Sequence, residues 1–67
     1  MTFREFILNA EVTDDPRGDF ILDARREIKA GRFWKKGTEL EGIESIHYWA
    51  AQEAGIEVYQ EWLDHHK

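Results

Sequence analysis

Cysteine is absent from this chain of 67 residues, proline occurs once, at Pro16, and serine once, at Ser45. Without cysteine there is no disulfide framework, zinc knuckle or thiol nucleophile, so the fold must rest on packing or on self-association. Redox chemistry is then silent on compartment. Long apolar runs are missing too: Phe6, Ile7 and Leu8 make a triplet too short for a signal-peptide core, and no later stretch approaches a membrane span. A cytoplasmic protein is the default expectation, and Met1 suggests a complete chain. Length is also scarce. A domain of this size buries only about 60% of the surface its unfolded chain exposes, which predicts that the large apolar residues go to one core and none to a deep pocket.

What is present is enough to fold. The chain is 42% hydrophobic and carries four Phe, three Trp and two Tyr, apolar area that offsets the entropy lost on ordering. One domain over residues 1–67 is expected.

Helix signals dominate. Thr2 and Glu5 form a capping box, and Phe3, Phe6, Ile7 and Ala10 share a face, predicting a first helix from Phe3 to Asn9 or Ala10. Asp14, Asp15 and Pro16 mark a second start, since an Asp cap accepts from orphan amides and proline at the first position gives up an amide without a partner. Phe20, Ile21, Ala24 and Ile28 follow at helical spacing, and Gly31 is placed for a left-handed stop. Thr38 to Glu41 reads as another capping box opening a third helix through Leu40, Ile43, Ile46, His47, Ala50 and Ala54, with Gly55 as its end. Ile56, Tyr59, Trp62 and Leu63 trace a fourth, and Asp64, His65, His66 and Lys67 a fraying end. Gly18, in the first turn of the second helix, costs up to about 1 kcal/mol against alanine. Close approach by another helix, with Phe20 or an aromatic of the fourth helix over the bare backbone, is the expected reason.

Charge is partitioned. Residues 1–24 carry a net −4, residues 25–36 a net +5 and residues 37–67 a net −6. Arg25, Arg26, Lys29, Arg32, Lys35 and Lys36 make the basic block, and Trp34 stands inside it. Such a block can touch phosphates, with Trp34 stacking on a base, or dock an acidic partner or a second copy. The plainer reading is helix-end electrostatics followed by a solvated loop. An acidic chain with a pI near 5.0 is not an obvious nucleic-acid binder.

Catalytic patterns are sparse. Ser45 and His47, two apart on a helix, point to different faces and cannot act as nucleophile and base. The stretch from Gly31 to Gly37 lacks the Walker spacing and a preceding strand. Glu44 and His47 have the Glu-x-x-His spacing of di-iron bundles, but such a site needs two copies and two more glutamates. A His at the core edge beside a carboxylate is the simpler reading. The glutamates at 39, 41, 44, 53, 57 and 61 read as solubilising. Tyr48, Trp49, Tyr59 and Trp62 form either core or an aromatic recognition cage. No metal, cofactor or small-molecule substrate is expected.

Phe3-x-x-Phe6, then Asp15-Pro16-x-Gly18-Asp19-Phe20, then Asp23 and the Phe33 region ahead of two further amphipathic helices, resembles the YozE family of short bacterial proteins. The resemblance implies an all-α, sterile-alpha-motif-like (SAM-like) bundle of four to five short helices, a fold that serves both protein and nucleic-acid binding and brings no catalytic residues. The resulting expectation is a cytoplasmic bacterial protein-protein interaction module, not an enzyme. It would bind a protein or itself through Arg25, Arg26, Lys29, Arg32, Lys35 and Lys36 and an acidic helix face, with Trp34 as hot spot. The alternative is a nucleic-acid-binding accessory protein using the same cations on phosphates.

Overall fold

Thr2 opens the first helix as its composition requires. Its hydroxyl accepts from the Glu5 amide at 3.1 Å while the Glu5 carboxylate accepts from the Thr2 amide at 3.0 Å, so both orphan donors are satisfied. The computed structural model, which describes residues 1–65, places helix α1 at Phe3–Asn9. That helix has neither a glycine stop nor a basic residue in its last turn. Arg25 supplies what is missing: its guanidinium donates to the carbonyls of Ile7, Leu8 and Ala10 at 3.1, 3.3 and 2.6 Å. A cation from the next helix thus meets the negative end of α1.

Helix α2 runs over Pro16–Ala30, with Asp15 accepting from the Gly18 amide at 2.9 Å and Gly31 in the left-handed region at φ 76°. Both ends stand where the residues place them. Gly18 is bare for a different reason from the one expected. A Cβ there would strike the backbone carbonyl of Thr13, because the connector between α1 and α2 folds back over the first turn of α2. The atoms that a Cβ would meet first all belong to Thr13, not to an aromatic ring or another helix.

The C-terminal half departs further. Helix α3 is only Glu39–Glu44, and helix α4 is Trp49–His65, running straight through Gly55. The break falls at 45–48, where no glycine or proline marks it. A continuous helix over 39–65 would be about 40 Å long, whereas the whole molecule spans 28 × 24 × 20 Å. Folding α3 back onto α4 instead buries Ile43. Gln52 of α4 donates to the Glu44 carbonyl at 2.6 Å and helps end α3. At Gly55 the Ile43 methyl and the Phe20 ring would lie 2.8 Å from a Cβ. The glycine read as a stop is therefore the close approach, with Phe20 over bare helical backbone. The Thr38 capping box also fails: the Thr38 hydroxyl donates to the Lys35 carbonyl at 2.8 Å and caps nothing.

These four helices, with no strand among the described residues, form an all-α bundle around Phe3, Ile7, Phe20, Ile21, Ala24, Ile43, Ala54 and Val58. Arg17 and Glu61 tie α2 to α4 with a two-pronged ion pair at 2.6 and 2.8 Å. Glu61 is thus structural rather than merely solubilising. So is Glu39, buried at 6% exposure and accepting from the Gly37 amide at 2.7 Å. No helix of the described residues is long and apolar enough to cross a membrane. His66 and Lys67, read as part of a fraying end, lie outside the described residues, and His65 belongs to α4.

Candidate functional site

The connector between α2 and α3 places Phe33 and Trp34 at the centre of one continuous train of rings. Trp62, Tyr59 and Phe3 pack together, Phe3 meets Phe33 at 6.2 Å between centroids, Phe33 meets Trp34 at 5.3 Å, and Trp34 stacks near Phe20 at 6.4 Å. Trp34 is half-buried. Its indole lies where a Cβ on Gly42 would be, so glycine in α3 makes room for it. Part of the ring read as a hot spot is thus committed to packing within the chain, and the remainder faces outward.

The exposed aromatics are elsewhere. Tyr48 and Trp49, at the break before α4, are 66% and 67% exposed, while Tyr59 and Trp62 pack against Phe3. The four residues considered as a cage therefore divide into two pairs.

Between α2, the connector and the start of α4 lies an open groove of about 610 Å³. Phe20, Phe33, Trp34 and Ile46 are apolar contributors, Tyr48, Ala50 and Ala51 line the α4 side, Asp19, Asp23 and Glu27 line the α2 side, and Arg32 of the connector also lines the groove. Chain length argues against a deep pocket, and this groove is instead open to solvent and forms for a local reason. The reason is the helix break, which turns Ile46 and Tyr48 toward α2 where a continuous helix would carry them past it. The three carboxylates recur every four residues and so share a face of α2.

The basic block does not act as a unit. Arg25 caps α1 through the three carbonyls described above. Arg26 pairs with Asp23 at 3.0 Å, and Arg32 pairs with Glu27 at 2.7 Å, both exposed. Lys29, Lys35 and Lys36 are exposed and form no ion pair among the described residues. Lys35 and Lys36 join Arg4, which sequence reasoning left out, around a smaller depression of about 440 Å³ that Ile28, Phe33 and Trp34 also line. The connector rings thus border a groove lined by three carboxylates and Arg32, and a depression lined by three cations and Glu39.

Other candidate chemistry disperses. Glu44 ends α3 and His47 lies exposed in the break, so their spacing puts them on no common helical face, and His47 is not at the core edge. No group of three or more metal-ligating side chains gathers among the described residues. The carboxylates with shifted titration serve caps. Asp15 is held below its ordinary value by the Thr13 hydroxyl, then by the Gly18 amide; Glu5 is held down by the Thr2 amide, then by the Thr2 hydroxyl.

Sequence reasoning missed Phe20, Ile46, Tyr48, Ala50 and Ala51 as groove residues. A signal existed in the four-residue spacing of Asp19, Asp23 and Glu27 beside Phe20. Nothing in the string pointed to Ile46 or Tyr48, since their placement follows from an unmarked break. No family model matches the chain, and no match is found among curated proteins or solved structures.

Proposed function

We propose that this chain is a non-catalytic protein-interaction module that receives an apolar segment of a partner in the groove between α2 and the start of α4. The observation that carries the reading is the groove's lining of Phe20, Phe33, Trp34 and Tyr48. Aromatic side chains supply large contact area and anchor interfaces beyond their share of surface. Kinship with the YozE-like proteins, with a SAM-like arrangement, and action in a bacterial cytoplasm belong to the same proposal. Their support is the Asp15-Pro16-x-Gly18-Asp19-Phe20 run and its layout of helices.

The test is a nuclease-treated pull-down from bacterial lysate with the immobilised chain, beside an Ala51→Trp variant whose indole fills the groove. A partner retained by the parent and lost by a folded Ala51→Trp supports the reading. Equal retention by both sinks it.

Arg4, Lys35 and Lys36 around the smaller depression favour a second reading, nucleic-acid binding through phosphates. Its reach is reduced because Arg25, Arg26 and Arg32 are engaged within the chain. Labelled oligonucleotides titrated at low and near-physiological salt test it: saturable binding lost in Lys35→Glu/Lys36→Glu supports phosphate contact, and flat titrations retire it.

A further inference from the structure

The two walls of the groove differ in charge, and that difference specifies the occupant. Asp19, Asp23 and Glu27 stand along the α2 wall, with Arg32 of the connector paired to Glu27 as the one cation that also lines the groove, while Tyr48, Ala50 and Ala51 on the α4 side are uncharged. Asp19 forms no ion pair among the described residues, and the partners of Asp23 and Glu27 are exposed arginines. Exposed pairs of this kind are weak and exchange readily with an incoming cation. No strand is available among the described residues to extend by backbone pairing, which removes strand addition as the means of capture and leaves side-chain anchors.

We infer that the groove recognises a cationic amphipathic helix of a partner protein, with apolar anchors on the aromatic floor and Lys or Arg along the edge facing α2. The inference rests on the interaction-module reading and names its partner's chemistry. Register supports a helix. Residues four apart on α2 are about 6 Å apart along its axis, and a helix lying alongside repeats at the same interval. Cations at four-residue spacing then fall opposite Asp19, Asp23 and Glu27 together. Ala50 and Ala51, small residues on the opposite wall, leave room for the anchors between the walls. The apolar floor contributes area, and the acidic wall selects orientation and sign, as complementary charge does at interfaces.

The experiment uses three synthetic helical peptides of one length: leucine anchors flanked by lysines, the same anchors flanked by glutamates, and the lysine peptide with every leucine changed to alanine. Labelled peptides are titrated by anisotropy at 50 and 300 mM salt, and the binding face is read from amide shifts of the isotopically labelled chain. The expected result is saturable binding of the leucine-lysine peptide with shifts centred on 19–27, 33–34 and 46–51. The leucine-glutamate peptide should bind at least tenfold more weakly. Higher salt should weaken the lysine peptide severalfold, and Asp19→Asn/Asp23→Asn should weaken it about fivefold with the thermal midpoint nearly unchanged.

Equal groove binding by the lysine and glutamate peptides overturns the charge selection and leaves the interaction groove standing. Equal binding by the alanine peptide, or shifts outside the groove, reduces the effect to nonspecific attraction and overturns the inference. If neither leucine peptide shifts the groove residues, the inference falls together with the groove reading.

Discussion

Phe3 and Trp34 sit in the same train of rings and meet opposite fates. Around Phe3, which is 0% exposed, the rings of Phe33, Tyr59 and Trp62 close in from the connector and from α4. Around Trp34 the packing comes from Phe20, Phe33 and α3, and the groove opens beside it toward Tyr48. The closed end anchors the fold, because every face of Phe3 leaves water when the chain collapses. At the open end, area remains that folding does not use, and the proposed partner would be received there. Phe33 joins the two, packing against Phe3 on one side and Trp34 on the other.

The largest effect falls on the closed end. Phe3→Ala should remove about 3–5 kcal/mol from a domain whose size suggests a total of roughly 3–10 kcal/mol. The midpoint of a denaturant or thermal melt should fall steeply, and at the low end of that range the chain should not fold at all. A melt near that of the parent breaks the comparison, since Phe3 would then not be the anchor.

Gly42→Ala strikes the open end from beneath. Its Cβ occupies the place of the Trp34 indole, so the ring must move, at a cost of about 1–3 kcal/mol. Tryptophan emission and the amide signals at 33–34 should change while the ring contacts at Phe3 persist. An unchanged Trp34 environment would show that the ring is not seated as described.

Smaller still is Tyr48→Ala. With its side chain largely in solvent, the change should stay within about 0.5 kcal/mol of the parent in stability. Groove binding should nonetheless weaken severalfold, and that separation of stability from affinity sharpens the contrast with Phe3.

The smallest effect is expected in acid. Glu5 caps the helix that carries Phe3, and Asp15 caps the helix that walls the groove; both titrate below their ordinary range for the hydrogen-bonding reasons given above. A carboxylate whose folded value is depressed contributes stability that is present above its unfolded value and lost as pH falls through the folded one. Stability should therefore decline below the ordinary carboxylate range. Asp15→Asn, which keeps an acceptor for the Thr13 hydroxyl and the Gly18 amide, should make the thermal midpoint slightly less pH-dependent. An unaltered slope would place the acid sensitivity elsewhere.

Local rules served well in the N-terminal half. Thr2, Glu5, Asp15, Pro16 and Gly31 specify the ends of α1 and α2 through bonds made within a few residues, and such bonds can be read from spacing. The end of α1 is the exception, since Arg25 reaches it from the next helix. In the C-terminal half Thr38, and in the basic block Arg26 and Arg32, turn to partners three to five residues away. Gly55 carried a familiar local signal and was given another task by Ile43 and Phe20, far along the chain, and Arg25 likewise reaches back to α1. The groove shared this fate. Asp19, Asp23 and Glu27 show their common face in the spacing, whereas Ile46 and Tyr48 reach the groove only through a break that no residue announces.

Composition and period determined by themselves that this chain is all-α, and they set the start of the first helix and both ends of the second, because caps, proline and left-handed glycine act over one turn. Tertiary structure alone decided where the third helix ends, which glycines yield to a neighbour and which aromatics keep an open face. Those outcomes depend on burying Ile43, Phe20 and Trp34 against residues remote in sequence within 28 Å, and burial of that kind is a property of the packed whole.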